Sequence, residues 1–413
     1  MDLNPYVLFT LMALVWPFYA QASCETKKSA DAVVECFLEK HPNLVISKAG
    51  IDVAEGEINV SSQRINPSLE WLVNESQQSN GVANEVNLKH TFELGYKRSA
   101  RIKLAEIKKD LEVVDFEKSY NQLKIDLIMD LYRLRQIEHE TEVIKENQTT
   151  FERMIDQYKK IGRMNPEQEI SVNIFSMASD EVMLKLQKLK NERNQILTEF
   201  EVINQTPFTP VKNQLPPLNH AWPDLDESGV QGVLIKEADL KVEESTRNYA
   251  LEKAKAWPDL ALGPRMLSSP GPGGGTFFGA ALSLNLPLLN LNAGGKQKAS
   301  AGKVRAEMRK SLLSKRIYAE ARRLKKVYQN SSRSYTQALK GSKIHKNHNR
   351  IHSLIKRGVV SPPLVIELHR QAIEFFEALH QQELAAVEAR WVYYSLFSRL
   401  DKKTIAESKG KLK

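Results

Sequence analysis

His345, His348 and His352 fall at i, i+3 and i+7, so one face of a helix carries three imidazoles. Neutral imidazoles at that spacing can share a soft or borderline metal ion. Lys343, Lys346, Asn347 and Arg350 supply the competing reading, a solvated polar face whose positive charge opposes a bound cation. Glu167, Glu169 and Glu367 each follow a glycine-bearing break in the helical pattern, at Gly162 and Gly358. Carboxylates ringed around an opening can filter cations, and acids early in a helix also complement its macrodipole. The two cysteines, Cys24 and Cys36, lie close together near the N-terminus. In an exported chain such a pair favours a disulfide closing a small loop. The alternative is that Cys24 is a lipidated first residue, although Gln21 departs from the aliphatic residue usual three positions before such a cysteine.

No catalytic constellation accompanies these residues. G-x-S-x-G, the P-loop, C-x-x-C and H-E-x-x-H are all missing, and the carboxylates are spread along helices at salt-bridge spacing. Neither an enzyme nor a cofactor is expected. The formal charge of +9 does not mark a nucleic-acid binder, because the bases are interleaved with acids, as in Glu106, Lys108, Lys109, Asp110 and Glu112. Apolar residues make up 42% and charged residues 26% of the chain, which suits elongated helices with narrow apolar stripes.

The elements that must position these residues are written twice. Residues 66–71 open a strand-like pair, a helical tract follows, and Gly162 breaks it. Residues 257–262 open a second pair, again followed by a helical tract, broken at Gly358. Pro67 and Pro258 are 191 residues apart, and Gly162 and Gly358 are 196 apart. A fixed period of this kind marks a duplicated unit. Val86, Leu88, His90, Phe92 and Leu94 alternate with Asn87, Lys89, Thr91 and Glu93, and Leu69, Trp71 and Val73 alternate in the same way. In the second copy Ala280, Leu282, Leu284, Leu286 and Leu288 do so. Alternation over about 10 residues is the signature of a membrane β-strand. Past Gly95 the period becomes helical, with Leu123, Leu127, Leu131 and Leu134 forming a coiled-coil stripe on a helix roughly 100 Å long.

The N-terminus reads as an export signal. Tyr6 to Phe18 is an apolar run of 13 residues ending at Ala20-Gln21-Ala22, a small-x-small cleavage site. A buried N-terminal helix is the alternative, opposed by Pro5 and Pro17 bracketing the run. The expected organisation is a signal peptide over 1–22 and a first repeat over 23–205, with its strand pair at 67–94 and helical hairpin at 97–204. A Pro-rich connector covers 206–228. The second repeat covers 229–400, with its strand pair at 258–289 and hairpin at 295–400, and a basic disordered tail covers 401–413. Any membrane insertion must be by strands, since no segment outside the signal has 18 consecutive apolar residues.

At Phe92-Glu93-Leu94-Gly95-Tyr96-Lys97-Arg98-Ser99-Ala100-Arg101, followed by Ala105-Glu106, the chain resembles the TolC-like outer-membrane efflux proteins. The match is to the E-L-G-G-K-R-x-x-R segment of the branch serving heavy-metal efflux pumps. Tyr96 stands where that branch has its second glycine, so the tight turn there is expected to be made differently. Trp257-Pro258-Asp259-Leu260 and residues 284–294 resemble the same family's second strand pair. The resemblance implies a fold that is mainly α with a small β part: a long α-helical coiled-coil tunnel plus four β-strands per protomer. A homotrimer would close those strands into one 12-stranded outer-membrane β-barrel, and four strands with open edges cannot face lipid alone. It further implies a passive duct, with Gly162 and Gly358 at a periplasmic tip that meets an adaptor (a membrane fusion protein) of an inner-membrane transporter. The glycines would also serve as helix C-caps. Two other roles stay open: the exit duct of a type I protein secretion system, and a coiled-coil scaffold without a barrel.

Overall fold

The computed structural model describes residues 24–76, 81–217, 222–225, 232–271, 273–341, 353–354, 359–397, 400 and 403–405. The expected N-terminal export signal, the three histidines at 345, 348 and 352, and Gly358 lie outside the described residues.

A turn of 3-10 helix at Cys24–Thr26 leads into α1 (Ala30–Lys40), whose first turn is capped by the Ser29 hydroxyl accepting from the Ala32 N–H at 3.3 Å. Pro42 removes one backbone donor and starts α2 (Pro42–Ser62). The strands β1 (Ser68–Ser76) and β2 (Gly81–Glu93) follow, then α3 (Lys97–Lys159), whose 63 residues extend about 95 Å. The return helix α4 (Pro166–Asn204) begins at a capping box, in which Asn165 and Gln168 each satisfy the other's backbone N–H. The second copy runs α5 (Val233–Ala254), β3 (Asp259–Ser269), β4 (Gly275–Leu284), α6 (Ala293–Gly341) and α7 (Pro362–Phe397).

The four strands form one antiparallel sheet in the order β1-β2-β3-β4. The helices beside it keep the matching order: α2 packs on α3, α3 on α5, and α5 on α6. A single layer therefore continues from sheet into helices, with β1 and α2 along one edge and β4 and α6 along the other. Alternation beyond Leu284 does not make strand. Pro287 has no N–H to give the ladder, and the chain over 285–292 instead turns towards α6, where Asn292 hydrogen-bonds the Glu252 backbone at 2.9 Å and its carboxylate at 2.7 Å. Leu286 and Leu288 are thus exposed connector residues rather than strand residues.

The core is concentrated away from the sheet. Leu127, Leu131 and Leu134 are buried as their stripe requires, with Phe37, Phe200 and Phe208 packed beside α1. The disulfide between Cys24 and Cys36 anchors the N-terminal turn to α1. The Pro-rich connector is a strap over this core rather than a free linker: Phe208 and Leu215 are buried, and the Gln214 amide donates to the Glu25 and Lys27 carbonyls at 2.9 and 2.8 Å. The expected disordered tail also begins too early, because Ile405 is buried and its N–H donates to Asp31.

At the corner between β2 and α3, Gly95 and Tyr96 both take left-handed backbone angles, with φ of 71° and 61°. The turn is therefore built as two glycines would build it, and the expectation that Tyr96 forces another geometry is wrong. The ring is 86% exposed, so the cost is the backbone's alone. Gly95 is obligatory for a second reason, since a Cβ there would collide with the Trp257 indole. Gly95→Ala should lower stability by about 1–3 kcal/mol, read as a depressed thermal midpoint of the purified protein; an unchanged midpoint would show that the corner tolerates a side chain.

Candidate functional site

The sheet has two chemically opposite faces. Cross-strand register places Leu69 opposite Leu88, Trp71 opposite Val86, Val86 opposite Met266, Phe92 opposite Leu260, Met266 opposite Phe278, and Leu262 opposite Leu282. All lie on one face and no other described element covers it: Leu69 is 70% exposed, Trp71 69%, Phe278 81% and Leu282 68%. The other face carries Glu70 paired with Lys89 at 2.5 Å, Glu85 with Arg265 at 2.8 Å, and Asn87 donating to Glu85 at 2.8 Å. An apolar outside and a polar inside are what a strand wall between lipid and an aqueous lumen requires. No described helix is long and apolar enough to cross a membrane.

Polarity continues across the corner into the helices. Lys97 pairs with Asp259 at 2.7 Å and Arg101 with Glu93, so the start of α3 is tied to the polar face of the sheet. Arg98 reaches the other way and donates to the Ser62 carbonyl at the end of α2 at 2.6 Å.

A buried ionic network holds the hairpins together. Arg133 on α3 forks onto Glu140 at 2.9 Å and onto Glu192 of α4 at 2.6 Å. Glu140 also accepts from His380 Nδ1 of α7 at 2.6 Å. Arg135 bonds Glu383 of α7 and donates to the Pro217 carbonyl of the strap at 2.7 Å, while Gln136 donates to Glu383 at 2.7 Å. Burial pushes the Glu140 carboxyl up, but the hydrogen bonds from His380 and Arg133 and their charges outweigh it and leave the carboxyl below its ordinary range. Removing one partner of such a network strands a buried charge, so the network locks α3, α4, α7 and the strap in one arrangement. The sequence signal for it is weak: charged residues occupying positions that the apolar stripe would otherwise fill.

At the opposite end from the sheet, α3 turns into α4 through residues 160–165. Gly162 is exposed there, but it does not take left-handed angles and it caps nothing; the Ile161 N–H closes the turn onto the Tyr158 carbonyl at 3.0 Å. Glu167 and Glu169 are exposed in the first turn of α4. Glu367, one helical turn into α7, is engaged locally by Arg370 at 2.8 Å and Gln371 at 2.7 Å, and these bonds hold its carboxyl below the usual range. Among the described residues no group of His, Cys, Asp and Glu side chains is arranged to hold a metal.

A repeated pair of strands with one apolar face, continued in register by very long helices, defines the TolC-like outer-membrane channel fold, and this chain has it. Over 91% of its length it is similar to the MtrE outer membrane channel of Neisseria gonorrhoeae in its open state, at 14% identity, TM-score 0.71 and 91% coverage of that chain. The CmeC outer membrane channel of Campylobacter jejuni matches over 91% of this chain and 89% of its own, at 11% identity and TM-score 0.70. CusC matches over 90% and 93% respectively, at 11% identity and TM-score 0.69. No family model and no curated protein matches the sequence.

One charged position in α3 is costly. Burial, aided by the Glu199 and Asp126 carboxylates, pushes the Asp130 carboxyl up to about 7. Its ionised form is therefore penalised in the folded state, and that penalty grows from about pH 4 to about pH 7 and is constant above. Asp130→Asn should stabilise the protein by about 1–2 kcal/mol at pH 8 and by almost nothing near pH 4. Thermal midpoints across that range check it, and a gain independent of pH would contradict the assignment.

Proposed function

We propose that this protein is the outer-membrane exit duct of a tripartite efflux pump, working as a homotrimer. The observation that carries the reading is the two-faced layer with two open edges. β1 and β4 each leave a row of backbone donors and acceptors unpaired, beside an apolar face that water would not favour. Pairing β4 of one copy with β1 of the next satisfies both, and three copies of four strands close a 12-stranded barrel.

The helix edges carry apolar stripes suited to the same closure. On α2, Ile46, Val53 and Val60 recur every seven residues and are exposed, with Ala49 and Gly56 between them. On the outer flank of α6, Val304, Met308 and Leu312 recur every four. A coiled-coil seam between neighbouring copies would bury both.

In this reading the chain catalyses nothing and conducts passively, outer-membrane lipid surrounds the sheet, and the helices extend into the periplasm. The turn at Gly162, with its counterpart at Gly358, meets a periplasmic adaptor joined to an inner-membrane transporter, and Glu167, Glu169 and Glu367 lie beside the opening. Resemblance to the heavy-metal efflux branch at residues 92–106 makes small molecules or metal ions the cargo class to test first. A type I secretion duct would share the architecture. A scaffold without a barrel would leave the apolar sheet face in water.

The protein should fractionate with the outer membrane and migrate as a trimer that heating converts to monomer. Met308→Lys or Val53→Lys should reduce that trimer by more than half, since each inserts a charge into an apolar seam. A wild-type protein that is soluble and unaffected by heating would sink the duct. Deleting the gene separates the cargo classes: greater sensitivity to metals, dyes or detergents supports efflux, and loss of one secreted protein supports secretion.

A further inference from the structure

Where the sheet gives way to the helices, a groove of about 350 Å³ lies between the start of α3 and the end of α5. We infer that this groove is a headgroup site for an anionic phospholipid of the membrane leaflet nearest the helices, held by its phosphodiester and selected over zwitterionic lipids because the basic, acid-free lining repels a headgroup cation. The inference rests on the membrane-inserted sheet proposed above and goes beyond it, since a duct needs no lipid site.

The groove opens on the apolar side of the wall. Lys97 and Arg101 bond Asp259 and Glu93 on the polar face. At 100° per residue, Ser99 and Lys103 point to the opposite side of α3. Their side of the helix continues the face on which Phe92 and Leu260 pair across β2 and β3. Acyl chains lying against that face would deliver a headgroup to the groove, which begins at the strand ends and lies within the headgroup layer.

Its lining has the chemistry of that layer. Tyr96 and Trp257 stand at its upper rim, both largely exposed, as interfacial aromatics do. Lys103, Arg247 and Lys253 line it, and none of its lining residues is acidic. Arg247 gives Nη2 to Glu243 at 2.9 Å, but its Nε is buried with no partner among the described residues. Lys253 lies 4.8 Å from the Tyr249 ring, and neither it nor Lys103 makes an ion pair among the described residues. The two lysine cations, uncompensated among the described residues, fit one anionic headgroup. The inference also gives a use to Tyr96, which holds a backbone conformation disfavoured for any residue but glycine.

The full-length protein, reconstituted in phosphatidylcholine vesicles with and without phosphatidylglycerol, should float with both. After extraction, native mass spectrometry should find phosphatidylglycerol retained in preference to phosphatidylcholine. In the Lys103→Gln/Lys253→Gln variant that retention should weaken about thirtyfold, while flotation is unchanged and Lys103→Arg/Lys253→Arg keeps the preference. Flotation without a preference for phosphatidylglycerol, or a preference that survives loss of both lysines, would overturn the lipid site and leave the duct standing. Wild-type protein that does not float would overturn both. Displacement of the retained lipid by millimolar inorganic phosphate would reassign the groove to free anions.

Discussion

Everything in this structure answers to the unpaired backbone at the two ends of a four-stranded sheet. A sheet with a polar and an apolar face can separate lipid from water, but only if no strand edge meets hydrocarbon, because each unsatisfied amide there costs several kcal/mol. One chain supplies too few strands to curl onto itself. In the proposed duct, the need to be completed by other copies follows from strand number and face polarity. The helix layer inherits the same two edges, because each strand leads into or out of a helix, β4 through the 285–292 connector, and the order of strands and helices is the same.

That inheritance depends on how the corners are held. At the first corner a left-handed pair, Gly95 and Tyr96, redirects the chain while the Trp257 indole fills the space a side chain would need. Ion pairs from Lys97 and Arg101 back to the sheet keep its polar face in line with one face of α3. Farther down, where α3, α4 and α7 would otherwise be held by coiled-coil stripes free to slip, the Arg133–Glu140–His380 and Arg135–Glu383 contacts set the register. Buried charges add little net stability but penalise every misaligned packing. That is the property a long hairpin most needs.

Much of this architecture is legible in the sequence. β2 announces itself through strict alternation from Val86 to Phe92, and α3 through leucines at helical spacing, because in both cases one local period decides which face is apolar. The duplicated proline and glycine landmarks then give the order of elements. What is not legible depends on residues far apart in sequence. Glu140 and His380 look like members of a solvated face until α3 and α7 are packed together. Ile405 looks like part of a basic tail until Asp31 is found beside it. Tyr96 looks incompatible with a tight turn because propensity weighs the residue alone, whereas the corner is decided by the packing of Gly95 against Trp257. Leu286 and Leu288 extend the alternation faithfully, and Pro287 between them ends the strand.

The two halves diverge once the fold is built. Copy one ends its strand pair in the Gly95–Tyr96 corner, and copy two ends it in an exposed connector held by Asn292 and Glu252. The edges they present also differ, small residues interleaved with Ile46, Val53 and Val60 on α2 against the bulkier Met308 and Leu312 on α6. Identical edges would allow α2 to seat on α2, a two-fold contact that buries the stripes but leaves β4 unpaired. In the proposed trimer, unlike edges favour α6 against α2, the head-to-tail contact that would also join β4 to β1 and close into a ring. The difference is built into the repeated unit itself, because α2 precedes the strands of copy one while α6 follows those of copy two; in the proposed ring it directs the apolar stripes into the one contact that also pairs the strand edges.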